Sequence, residues 1–209
     1  MSEGPAVSDT MASQDAGTRT EGRLRRPGVW KLVTEVTFIS LGVFLALLAD
    51  QWREDRATQA LAQSSLRGFR AEIIANRGRV AAVKDYDIAL LGNLRAYLKA
   101  DAATRPTIPV RIQGIQPVFF EQTAWDLAMG TQSLAHLDQD VASSLSRIYG
   151  LQRTYLDQTR GMMDAIYLRP LGENYDGLAA YYGDLVLWEP ALIRMYDEVL
   201  PRIEQELRE

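Results

Sequence analysis

The chain has no cysteine, a single histidine and no surplus of basic residues. Without cysteine there is no disulfide, no thiolate metal site and no thiol nucleophile, and such a domain tolerates an oxidising compartment. With His136 as the one histidine, the usual zinc sets and the histidine-based triads are out of reach. Asp140 follows it at i+4, a spacing that in isolation makes a surface pair. The net charge is −4, and the part up to residue 49 is balanced, so the acidic surplus belongs to residues 50–209. No cluster of Lys and Arg stands ready to neutralise phosphates, which argues against nucleic acid as a partner. Acidic pairs such as Asp85/Asp87 and Asp138/Asp140 lie two residues apart, which on a helix sends them to different sides and away from a shared acid–base task. No catalytic residue, metal ligand or cofactor site emerges, and the expectation is a protein that is not an enzyme.

What is present is a long apolar run bracketed by tryptophans, Trp30 to Trp52, in which Leu32 to Ala49 holds one ionisable residue, Glu35. As an α-helix rising about 1.5 Å per residue, it would place the two indoles roughly 33 Å apart. That span matches a hydrocarbon core of about 30 Å with an indole at each headgroup interface. Trp30, Lys31, Trp52 and Arg53 are the expected interface anchors. Arg19, Arg23, Arg25, Arg26 and Lys31 precede the run, whereas the flank after it mixes Arg53 and Arg56 with Asp50, Glu54 and Asp55. The positive-inside bias then puts the N-terminus in the cytoplasm and the rest outside it, in the periplasm if the cell is a Gram-negative bacterium. Two other readings compete. A cleaved secretory signal has the same basic-then-apolar form, but cleavage after Ala49 would leave Leu47 where a small residue is wanted. A buried soluble helix would show a polar stripe, and Val36 to Ala49 has none.

Within the run, Glu35 would lie about one turn inside the interface, where an ionised carboxylate costs a few kcal/mol unless paired or turned toward protein. Lys31, four residues earlier, can pair with it; a contact to a partner helix is the alternative. Gly42 and Ala46 form a small-x-x-x-small face that lets another helix approach closely. The candidate transmembrane contact is therefore Glu35, Gly42 and Ala46, and the expected partners are the lipid bilayer and either another membrane protein or a second copy of the chain.

Residues 1–28 are rich in Ser, Gly, Thr, Ala and Asp without apolar period, and a disordered cytoplasmic tail is expected there. Residues 29–56 form the expected anchor helix, continuing beyond the membrane with a bend near Gly68, and residues 57–209 a helical bundle. Leu66, Phe69, Ile73, Val80, Val83, Leu90, Leu94 and Leu98 recur at three–four spacing and predict a buried helix face ending near Lys99. Asp101 to Pro117, with three prolines, reads as a connection that could wrap over the bundle. A helix is expected from Phe119 to Met129, then a long core helix from Leu134 to Leu168 ended by Pro170 and Gly172, then separate segments Tyr175–Leu187 and Ala191–Leu200. Asn76 and Asp87 fall on the apolar stripe, where polar residues fix register or bond a nearby backbone. Trp125, Tyr149, Tyr155, Tyr167, Tyr175, Tyr181, Tyr182, Trp188 and Tyr196 would fill the core with their polar ends at its rim, or line a ligand cleft between helices.

The pattern Glu35, Ile39, Gly42-Val43, Leu45-Ala46-Leu47, then Trp52, Glu54 and Arg56 resembles a large family of uncharacterised bacterial membrane-anchored proteins, whose N-terminal helix carries E-x-x-x-I-x-x-G-V-x-L-A-L followed by W-x-E-x-R. Thr123-Ala124-Trp125, Leu127, Gly130 and Leu134, with Tyr149 beyond, is similar to a second segment of that family. The resemblance implies a single-pass anchor and a helical domain, and no activity. The fold class expected is all-α, one N-terminal transmembrane helix followed by an extracytoplasmic bundle. The function expected is a non-enzymatic interaction or assembly module of a membrane complex in the inner (plasma) membrane. The alternative is a ligand-sensing bundle that signals through its anchor.

Overall fold

The computed structural model describes residues 28–168 and 174–208. The expected tail, up to residue 27, and the break at Pro170 and Gly172 lie outside the described residues. Those residues form four α-helices and no strand: α1 (Gly28–Lys99), α2 (Thr123–Gly130), α3 (Gln139–Leu168) and α4 (Tyr175–Glu206). Short 3-10 turns occupy Arg105–Thr107 and Ser133–His136. The chain divides into two compact units, one ending at Asp50 and one spanning Gln51–Glu209.

In the first unit the described residues are all helix, and every side chain is exposed. The second unit is built on the stripe Ala62, Leu66, Phe69, Ile73, Val80, Leu90, Leu91 and Leu94 of α1, all buried, at the three–four spacing that puts residues on one helix face. Antiparallel register with α4 is set by contacts along its length, from Arg70 with Glu204 and Arg77 with Asp197 to Tyr97 with Tyr175, whose rings meet edge-on at 4.9 Å. The ion pairs are exposed and contribute about 0–1 kcal/mol each, so they record the register more than they hold it. The core holds it: Leu178, Tyr181, Tyr182, Leu185, Leu192, Tyr196, Val199 and Ile203 of α4 interlock with Val141, Leu145, Ile148, Tyr149 and Tyr155 of α3.

α1 is helical through Gly68, and the glycine is a point of close approach, since a Cβ there would stand 3.4 Å from that of Ala124. Three expectations are corrected. α2 begins at Thr123 rather than Phe119, because Asn76 holds the backbone of Glu121 by both its N–H and its C=O, at 2.8 Å each, which keeps the preceding residues extended. α3 begins at Gln139 rather than Leu134, because Asp138 is its N-cap: Oδ1 accepts from the N–H groups of Asp140 at 2.9 Å and Val141 at 3.2 Å. Finally, α4 is one helix through Pro190 and Pro201. An interior proline forfeits one hydrogen bond and costs about 3 kcal/mol. Here both prolines are exposed, and the buried positions keep phase across them from Leu178 to Ile203, so core packing on the opposite face offsets the loss.

The connection between α1 and α2 does lie along the core. Val118 is buried and Val110, Ile112 and Ile115 pack against the cluster. Tyr86 ties it down, donating to the Gly114 carbonyl and accepting from the Gln113 N–H, each at 3.1 Å. Gly114 has φ of +97°, a conformation open to glycine.

Candidate functional site

Two places stand out chemically: the apolar stretch of α1 and a set of buried polar side chains in the second unit. Trp30, Lys31, Glu35, Gly42, Ala46, Trp52 and Arg53 are all exposed on α1. Lys31 and Glu35 form no ion pair with each other, and a Cβ on Gly42 would meet nothing within 4 Å. The Arg56 guanidinium lies 3.9 Å over the Trp52 ring, a cation–π contact that orients the indole. Fourteen large apolar side chains between Val29 and Trp52 are exposed. At roughly 1.5–3 kcal/mol per side chain, leaving them in water forgoes on the order of 20–40 kcal/mol. That exceeds the whole stability of an ordinary domain, about 5–15 kcal/mol. Both threonine hydroxyls inside this stretch are satisfied by their own helix: Thr34 donates to the carbonyls of Trp30 and Lys31 at 2.8 and 2.9 Å, and Thr37 to that of Val33 at 2.7 Å. α1 therefore carries one segment long and apolar enough to cross a membrane.

Among the described residues the second unit buries seven that are polar or charged: Glu72, Asn76, Asp87, Ser133, Gln152, Thr159 and Glu189. Most are well served. Glu72 accepts from the Tyr149 hydroxyl and, at 2.8 Å, from the Ala124 N–H in the first turn of α2. Carboxylate and positive helix end suit each other there, and Glu72 thereby joins α1, α2 and α3. Tyr149 also stacks on Trp125, ring centroids 4.8 Å apart, and burial, followed by the Glu72 carboxyl, pushes its phenol far above the ordinary range, so it remains a donor. Gln152 donates to Tyr196 at 2.9 Å while its Oε1 is buried without a partner, and Thr159 meets Tyr181 at 3.1 Å.

The acid pair is served least of all. Asp87 of α1 is 1% exposed and Glu189 of α4 0%. Tyr155 of α3 donates to Glu189 Oε1 at 3.2 Å, yet both Asp87 oxygens and Glu189 Oε2 are buried with no donor from any other residue, which leaves the two carboxyls each other as partners. Burial raises the affinity of both carboxyls for protons, and the facing Asp87 raises that of Glu189 further. The arrangement is that of a protonated Glu189 donating to an ionised Asp87.

Asn76 and Asp87 were marked by their places on the apolar stripe; Glu72, Gln152 and Glu189 were not. Five of the aromatics, Tyr149, Tyr155, Tyr181, Tyr182 and Tyr196, are buried whole, so their polar ends lie inside rather than at the rim. Tyr167 is 83% exposed and fills no core. His136 is exposed in the turn before α3, off the helix that carries Asp140. Among the described residues no group of three or more His, Asp or Glu side chains could hold a metal. A surface cleft of about 270 Å³ between α3 and α4 is lined by Ser144, Arg147, Met195, Glu198 and Arg202, among others, with no aromatic side chain. No family model, curated protein or solved structure matches this chain.

Proposed function

We propose that the chain is a single-pass membrane protein whose helical unit is a non-enzymatic interaction or assembly module of a membrane complex. One observation carries this reading: the apolar stretch of α1 is wholly uncovered, at a free-energy cost in water that a folded domain could not offset. The excess of Arg before the stretch supports a cytoplasmic N-terminus and a bundle outside the cytoplasm, periplasmic in a Gram-negative cell. The motif around Glu35, Gly42 and Trp52 supports membership of the uncharacterised bacterial family it resembles. Binding is assigned to another membrane protein or a second copy of the chain, reached through Glu35, Gly42 and Ala46. Ligand sensing is the second reading, favoured by one fact: α1 carries the apolar stretch and the core stripe in one unbroken helix.

Fractionation tests the membrane part. The full chain should stay with membranes through an alkaline carbonate wash, and a chain beginning at Gln51 should be released; release of the full chain refutes anchoring. A periplasm-active reporter fused after Gln59 should be active and a cytoplasm-active one silent, and the reverse result overturns the orientation.

A further inference from the structure

The acid pair has a feature that stability alone does not call for. Two carboxyls face each other inside the second unit, and three of their four oxygens have no donor except a proton held between them. The groups around them come from every helix that packs there. Tyr86 and Lys84 lie on α1, Tyr155 on α3, and Tyr181 and Tyr182 on α4. Burial raises the Tyr155, Tyr181 and Tyr182 phenols, so these carry no charge at neutral pH, with Tyr181 held up at about 12. Lys84 is the one cation that acts on Glu189, and its ammonium lies 3.3 Å from Asp85 instead. A metal would need more ligands than two carboxyls and phenols supply, so the cation that suits this place is a proton. The next residue after Glu189 is Pro190, which has no N–H for the Val186 carbonyl. α4 thus lacks one of its own backbone hydrogen bonds beside the residue that bears the acid, as it does again at Pro201.

We propose that Asp87 and Glu189 form a proton-operated latch between α1 and α4, closed while the two carboxyls share a proton and released, with Pro190 as the hinge, when both ionise. It does not rest on the membrane reading. The sign follows from the raised affinities. Glu189 goes from an ordinary 4.5 to about 9 in the closed state, and Asp87 from 3.8 to about 6. The closed state therefore binds more protons than the open one. Its advantage is complete below the open-state values and is lost as pH rises toward the closed-state value of Glu189. One proton released on opening raises the opening constant up to about tenfold per pH unit within that window.

Hydrogen exchange on the full chain in detergent micelles, between about pH 5.5 and 8.5 and corrected for intrinsic rates, reads this directly. Amides of residues 175–189 should lose about tenfold or more of their protection across the range, while those of residues 141–152 keep theirs. Glu189→Gln, a neutral donor to Asp87, should hold its protection at every pH. A wild-type chain whose α4 protection does not change, or a Glu189→Gln chain that loses it equally, overturns the latch. Should Glu189→Gln not fold by circular dichroism, Asp87→Asn decides: its amide donates to an ionised Glu189 and removes the like charge, so the fall in protection must shrink, and an undiminished fall refutes the proposal.

Discussion

α1 is one helix with two chemistries. From Gly28 to Ala57 every residue is exposed, and as far as Ala49 almost all are apolar or small; from Ala62 to Leu94 most of the large apolar residues fall on one buried stripe, with Ile74 and Ile88 outside it. A helix that is apolar all round wants an apolar solvent on all sides, whereas a striped one wants a protein core on one side and water on the other. The two units thus differ in what they must be given from outside. The second finds its burial in its own chain, and the first does not.

The strongest test of that difference is the same substitution made in each unit. Leu145, fully buried on α3, replaced by Asp, would place an unpaired charge in the core and should cost at least about 3–5 kcal/mol, enough to unfold the second unit or lower its melting temperature by well over ten degrees. Leu45→Asp lies in the exposed stretch and should leave that melting temperature within a degree or two. Its effect should appear in membrane insertion instead, at about 2.5–3.5 kcal/mol for a charge at the centre of a spanning helix. Comparable loss of thermal stability from both substitutions would show that the apolar stretch is covered by protein.

A smaller effect separates packing from hydrogen bonding inside the second unit. Asn76→Ala removes both bonds to the Glu121 backbone and strands a part-buried N–H and C=O, so a loss of about 2–3 kcal/mol is expected, at the upper end of the cost of unsatisfied polar groups. Denaturant unfolding should show a lower midpoint with an unchanged slope. A loss below about 0.5 kcal/mol would mean that water replaces Asn76, and that Glu121 is not what delays the start of α2.

Patterns that involve one element were legible in the sequence, and pairings between distant elements were not. The apolar run and the stripe from Leu66 to Leu94 needed nothing but periodicity. Asn76 and Asp87 were visible because a polar residue interrupts that stripe. Glu189 has the same phase on α4, seven residues after Tyr182 and three before Leu192, but Pro190 beside it reads locally as a helix start and hides the continuity. Proline's cost is local and its compensation comes from core contacts made on both sides of it, which no window around residue 190 contains. Glu72 escaped for a similar reason: its partners, Ala124 and Tyr149, lie 52 and 77 residues away. Asp138 could have been found, since an acid before the periodic run from Val141 is an N-cap signal.

The mildest substitution bears on the question the first unit leaves open, whether lipid alone meets its apolar surface. Gly42 and Ala46 are one turn apart and exposed, and a Cβ on Gly42 meets nothing, so Gly42→Leu with Ala46→Leu should not alter the melting temperature of the second unit at all. Lipid accepts a large apolar side chain as readily as a small one, so insertion and expression should also stay normal. A partner helix does not accept it: association in lipid depends on backbones approaching closely over small residues, and two leucines on that face hold the helices apart. Crosslinking in native membranes should therefore lose the product that contains this segment while the helical unit is unchanged. An unaltered crosslink pattern would make the stretch a tether in lipid and move all recognition to the unit beyond Gln51.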